Sequence, residues 1–403
     1  MSKTKYSKFV GTLRNFGFLF EFMGLQYFSL EAFGDDESSG RPSLIRGVYF
    51  IIILSLILCF AALYILLDYE EMLKQFLDQK ITTYAVQNSM KFGMIFVIIT
   101  STTQSFFATK KIKQFYKNVE LILEVMFVEF RMFIDFKKVC RVSKFILVGI
   151  ISFFCLIHSV LFVQSESDRT YLLAVAIFPV IFLLTTIYKF TFYVVIVNYQ
   201  LESLKKIIVN IFKSQPFKIG ADCDDSVMSP KKIYSPSIVS RKLINAKKVY
   251  NMLYENASLV NDSMGLTILN LLIVLVISIT SSGYVIFVLL VDGKEQKKIP
   301  ETVYFLVLGQ TVLCIIVIAC QNTQKIMSKL ATALSKIECE NYEGLKEESR
   351  EFIHKFYMQL CQQPIMFTAY GFYNINLALL ASITTGIVSY QIILVQFHST
   401  PSS

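Results

Sequence analysis

The chain has 403 residues, of which 54% are hydrophobic, 14% aromatic and only 17% charged, with a mean hydropathy of +0.54. That composition excludes an ordinary soluble domain. A net charge of +9 raises nucleic acid as a partner, but the basic residues lie between long apolar runs, where anionic lipid head groups stand, and this placement removes it.

The runs predict an all-α polytopic membrane protein with seven transmembrane helices, near 47–67, 92–108, 145–163, 171–197, 264–291, 302–320 and 375–397. With a cytoplasmic N-terminus, the inner segments hold 31 of the 39 Lys and Arg and 21 of the 30 acids, the outer loops hold 7 and 9, and Lys189 lies within a span. The basic excess on one side predicts the N-terminus inside and the C-terminus outside. The organisation expected is a cytoplasmic N-terminal segment (1–46), a seven-helix body (47–397) and an extracellular tail (398–403).

In chain order, Arg14 and Glu21 interrupt the early apolar residues, so residues 7–28 read as an interfacial amphipathic helix and not as a cleaved signal. The first span begins after Arg41 and Arg46 and ends at the acidic edge of Asp68, Glu70 and Glu71. After the second, apolar residues from Phe115 to Phe133 recur among charges, which predicts helix extended below the membrane. Spans three and four form a hairpin with a short outer connection. His158, Gln164 and Tyr171 lie near that outer level, Lys189 is placed to snorkel inward, and Pro179 is a bend point.

The longest connection, 198–262, has apolar flanks around a Pro- and Ser-containing middle and reads as two cytoplasmic helical arms. Asn256-Ala257-Ser258 and Asn261-Asp262-Ser263 match glycosylation acceptors but fall on the inner side, so they are expected to stay unmodified. Spans four and five exceed a simple crossing and are expected to tilt or run on into the cytoplasm. Tyr304 lies at the outer start of span six. Residues 325–367 form a further cytoplasmic packing element, with a break expected at Gly371.

All eight cysteines fall in spans or cytoplasmic segments, without disulfide-framework or metal-site spacing. His158, His354 and His398 are dispersed, and no phosphate-cradling loop or nucleophile–base motif occurs. The reading is therefore not an enzyme, with no cofactor and no metal site.

The last run is uncharged yet contains Ser382, Thr384, Thr385, Ser389, Tyr390, Gln391 and Gln396. On a helical period Ser382, Thr385, Ser389 and Gln396 share a stripe, with Gly386 and Ile393 beside it. Such a stripe suits a wall of a hydrated path; it also suits buried helix–helix contact.

Here the sequence resembles the insect gustatory receptor family within the insect chemoreceptor superfamily. That family carries Thr-Tyr, five mainly hydrophobic positions and Gln-Phe near its C-terminus. The matching stretch is Ser389-Tyr390-Gln391-Ile392-Ile393-Leu394-Val395-Gln396-Phe397, with serine for threonine and with Gln391 breaking the apolar interval. Upstream, Thr368, Gly371, Phe372, Asn376 and Leu379 also look like the family's approach to its last helix.

The resemblance implies a tastant-gated, non-selective cation channel of four identical or related subunits around one pore, in the plasma membrane of chemosensory neurons. It implies a pore lined by the seventh helix, cytoplasmic anchor helices, and an outer pocket for a small-molecule tastant. Ser389, Tyr390, Gln391, Ile393, Gln396 and Phe397 become the pore or gate candidates, with Ile393 and Phe397 as apolar restrictions and Gln391 or Gln396 as a polar constriction. His158, Gln164, Tyr171 and Tyr304 become the pocket candidates, where aromatic rings stack on a tastant and polar groups orient it. The competing readings are a transporter, a G-protein-coupled receptor, which the charge distribution opposes, and a non-conducting scaffold.

Overall fold

The computed structural model describes residues 20, 25–26, 47–59, 61–62, 81–132, 145, 149, 152, 170–213, 236–292, 299–340 and 347–399. Its helices are α1 (Gly47–Cys59), α2 (Ile81–Phe107), α3 (Thr109–Phe130), α4 (Thr170–Lys213), α5 (Pro236–Asp292), α6 (Ile299–Glu340), α7 (Glu347–Gln362) and α8 (Leu377–Ser399). Among the described residues, four helices are long and apolar enough to cross a membrane, and five if the bent pair α2–α3 counts as one span. The chain is thus an all-α polytopic membrane protein apart from one short hairpin. The third span expected, 145–163, lies almost wholly outside the described residues, as do the outer connection and the tail.

The expected arms and spans merge. Helices α4, α5 and α6 run unbroken for 44, 57 and 42 residues; α5 continues even through Asn261, Asp262, Ser263 and Gly265, where packing outweighs the local preference for a turn. The second span bends by 64° where it meets α3. Helix α3 closes at Arg131, whose left-handed backbone (φ 51°) returns its N–H to the carbonyls of Met126 and Phe127.

One core runs the length of the molecule. Helices α2 and α3 pack on α5, α4 lies against α5 and α6, and α8 rests on α5 and α6. Phe182, Phe190, Tyr193, Leu201, Leu204, Leu243, Val249, Leu253, Ile316 and Phe356 are among its buried side chains. Lys111 pairs with Asp262 at 2.9 Å and Arg241 with Glu129 at 3.1 Å, fixing the register of α3 on α5. These pairs are largely solvated, so they set register more than they stabilise.

Lys189 does not snorkel. It is fully buried on α4, and its Nζ donates to the Leu25 carbonyl and, at 3.2 Å, to Ser105 Oγ. The N–H groups of Leu25 and Gln26 both return to the Phe20 carbonyl, a helix-end pattern that leaves the Leu25 carbonyl to accept from the ammonium. The Phe20 ring lies tilted against those of Tyr188 and Phe192, with centroids 6.0 and 6.3 Å away. The described part of the N-terminal segment is therefore threaded into the core.

Candidate functional site

The approach to α8 is built from polar pairs between distant residues. Strands β1 (Thr368–Ala369) and β2 (Tyr373–Asn374) pair antiparallel, Thr368 opposite Asn374. Their turn places Tyr370 at φ 54° and Gly371 at φ 78°, so the break expected at Gly371 is a left-handed hairpin turn. Asn261 of α5 donates from Nδ2 to the Met366 carbonyl at 2.9 Å and accepts from Thr368 N–H at 3.0 Å. One turn on, a methyl on Gly265 would stand 2.9 Å from the Tyr370 backbone nitrogen, and backbone cannot yield there.

The start of α8 is fixed twice more. Asn376 Oδ1 accepts Leu379 N–H at 2.9 Å as an N-cap, and Gln321 Oε1 of α6 accepts Leu377 N–H at 3.1 Å. The two acceptor motifs read from the sequence lie in this same helical stretch. Asn256 is fully buried, and the Asn261 amide is occupied on both sides.

Beyond its start, α8 is almost uncovered. Only 6% of its apolar window is buried within the subunit, against 83% for α4. Leu379, Leu380, Ile383 and Ile387 face the core, following a helical period. Ser382, Thr385, Ser389, Ile393 and Gln396 are all exposed and fall within about 80° of one another on the opposite side. Leu377, Val388 and Ile392 form an exposed apolar flank, and Tyr390 stands on the other flank, 63% exposed.

The hydroxyls have one orientation. Ser382, Thr385 and Ser389 donate to the carbonyls of Ala378, Ala381 and Thr385 at 3.0, 3.0 and 2.9 Å. Each hydrogen therefore points into the helix and each oxygen presents lone pairs outward, a polarity that suits a cation and repels an anion.

Of the pore candidates, Ser389, Ile393 and Gln396 share this exposed stripe, with Tyr390 beside it. Gln391 stands roughly opposite on the helix, half-buried against α5 at Gly283. Phe397 is in the helix, its side chain outside the described residues. Of the pocket candidates, Tyr304 is buried on α6, and its hydroxyl has no hydrogen-bond partner among the described residues. Tyr171 is in α4 with its side chain outside the described residues, where His158 and Gln164 also lie. Gly283, Gln321 and Asn261 were missed as positioning residues. An isolated glycine inside an apolar helix was the signal for Gly283; the partners of the two amides are distant in sequence and left none.

Residues 17–401 match the 7tm Chemosensory receptor family. The chain belongs to this family. It is 27% identical over 132 residues to Gustatory receptor 68a of Drosophila melanogaster, an alignment covering 31% of this chain and a third (33%) of that receptor's length. Its fold is similar to that of the insect olfactory receptor OR5 from Machilis hrabei in complex with eugenol, with TM-score 0.68 and 15% identity over 97% of this chain and 98% of that one. A second structure of the same receptor is similar at TM-score 0.58, again at 15% identity, over 98% and 99%. The chain is a multi-pass membrane protein of a chemosensory receptor family and, by that membership, no enzyme.

Proposed function

We propose that the chain is a subunit of a tastant-gated, non-selective cation channel in which α8 of each of four identical or related subunits borders a central pore. The observation that carries the reading is the outward stripe of Ser382, Thr385, Ser389, Ile393 and Gln396 on a membrane-length helix that its own subunit leaves bare. A helix so exposed needs lipid or another subunit against it, and a stripe of outward oxygens is best satisfied by water and cations between symmetric copies. Ile393, level with the polar groups, supplies an apolar ring able to close such a path by dewetting, with Phe397 one turn beyond.

The tastant site lies in the outer half, where the buried Tyr304 hydroxyl has no partner among the described residues and can give or take a hydrogen bond. Binding opens the path only to the extent that the tastant prefers the open arrangement. The orientation is N-terminus inside and C-terminus outside, in the plasma membrane of chemosensory neurons. Recording currents from cells expressing the chain, challenged with sugars, alkaloids and plant phenols including eugenol, tests the reading. Cation currents with unitary steps are expected. Substrate flux without unitary steps makes it a transporter, and neither current nor flux at normal surface expression returns it to the scaffold reading.

A further inference from the structure

We infer that Gln391 is a positioning residue, not part of the water-facing wall: its carboxamide seats on Gly283 of α5 and sets how far α8 stands from its own subunit. The inference rests on the reading that the opposite side of α8 lines the path. A methyl on Gly283 would lie 1.9 Å from Gln391 Nε2, 3.0 Å from Cδ and 3.7 Å from Oε1. These atoms are the far end of a flexible side chain, so a methyl on Gly283 unseats the Gln391 carboxamide and leaves it to find room between α5 and α8.

Ile387, buried one turn earlier, and the partly buried Leu394, one turn later, lie on the same side, so Gln391 is the polar member of the packed face. At Gly309 of α6, a methyl would stand 3.0 Å from Cγ1 of Ile279, which lies one turn from Gly283, so α5 is also closely packed against α6 near this level. Among the described spans α8 is the least covered, so it is the one to give when the unseated carboxamide lodges between the helices, and its stripe moves away from α5 toward the neighbouring copies.

The geometry makes a size-rescue prediction that needs no agonist. In full-length protein in membranes, Ser389→Cys reports proximity of neighbouring stripes through the yield of inter-subunit disulfide under a mild oxidant. Adding Gly283→Ala raises that yield on the order of fivefold, the effect of forcing one methyl into a packed contact, and adding Gln391→Ala to it restores the starting value. Gln391→Ala alone, which removes atoms and inserts none, lowers the yield below the starting value. In the current recordings it leaves the reversal potential unchanged, which a wall residue would shift.

A yield indifferent to Gln391→Ala, or a Gly283→Ala effect that Gln391→Ala does not reverse, overturns the inference. The single Gln391→Ala arm decides it even if Gly283→Ala fails to reach the surface. No disulfide in any background shows instead that the stripes do not face one another, which removes the pore reading and this inference with it.

Discussion

Helices α4 and α8 are both long and apolar enough to span a membrane, yet 83% of one apolar window and 6% of the other is buried inside the subunit. Their polar groups divide accordingly. On α4, Lys189, Thr186 and Asn198 are all buried, and each reaches another part of the chain: Leu25 and Ser105, Ser101, and Ala319 with Thr323. On α8, Ser382, Thr384, Thr385 and Ser389 bond, among the described residues, only to their own helix and turn their oxygens outward. Inside the bundle these three groups tie α4 to other parts of the chain, while the buried Thr185, Thr191 and Ser203 bond back within α4; on the bare helix the same back-bonded hydroxyls turn their free lone pairs to whatever lies outside the subunit.

This contrast is open to attack from the stability side first. Lys189→Ala strands the Leu25 carbonyl and Ser105 in the core and leaves a void, with an expected loss of roughly 3 kcal/mol. A melting temperature in detergent equal to that of the unmodified protein would mean that the ammonium holds nothing. Asn261→Ala removes both bonds that hold the hairpin approach and should cost about 2 kcal/mol, read as a lower melting temperature with earlier proteolysis near Met366. A lysine or asparagine variant that melts normally while altering permeability would invert the assignment of roles.

How far the sequence revealed this division depends on the range of the partner. Apolar runs placed the described spans, and the helical period of Ser382, Thr385, Ser389 and Gln396 gave the stripe, since both are local patterns. The same period puts Gln391 on the other side, but the notch that receives it lies more than a hundred residues away at Gly283. Lys189 is the clearest failure. Snorkelling is the default for a lysine in a lone helix, and the carbonyl that replaces water for it belongs to a residue 164 positions earlier. Spans four and five were expected to tilt or run on, and α4 and α5 do continue past a simple crossing; the length of α6 was hidden, because a change from apolar span to amphipathic arm alters the environment without breaking the backbone.

Smaller effects sharpen the comparison. Tyr304→Phe deletes a buried hydroxyl that has no partner among the described residues, so stability should hold or rise by about 1 kcal/mol while responses to tastants with polar groups weaken. Unaltered responses across the panel would take Tyr304 out of the pocket. Ser389→Ala and Gln396→Leu, at exposed positions on α8, should change stability by less than about 0.5 kcal/mol yet alter conductance or relative cation permeability. Changed melting with unchanged permeation would place those side chains in a structural contact instead.

The most direct measurement is a cysteine scan along α8 read by a charged, water-borne cationic thiol reagent during current recording. Block is expected at positions 382, 385, 389 and 396, with none at 377, 388 and 392 on the apolar flank. Block following the flank, or absent from the stripe in channels that conduct normally, would contradict a water-filled path along this side of the last helix.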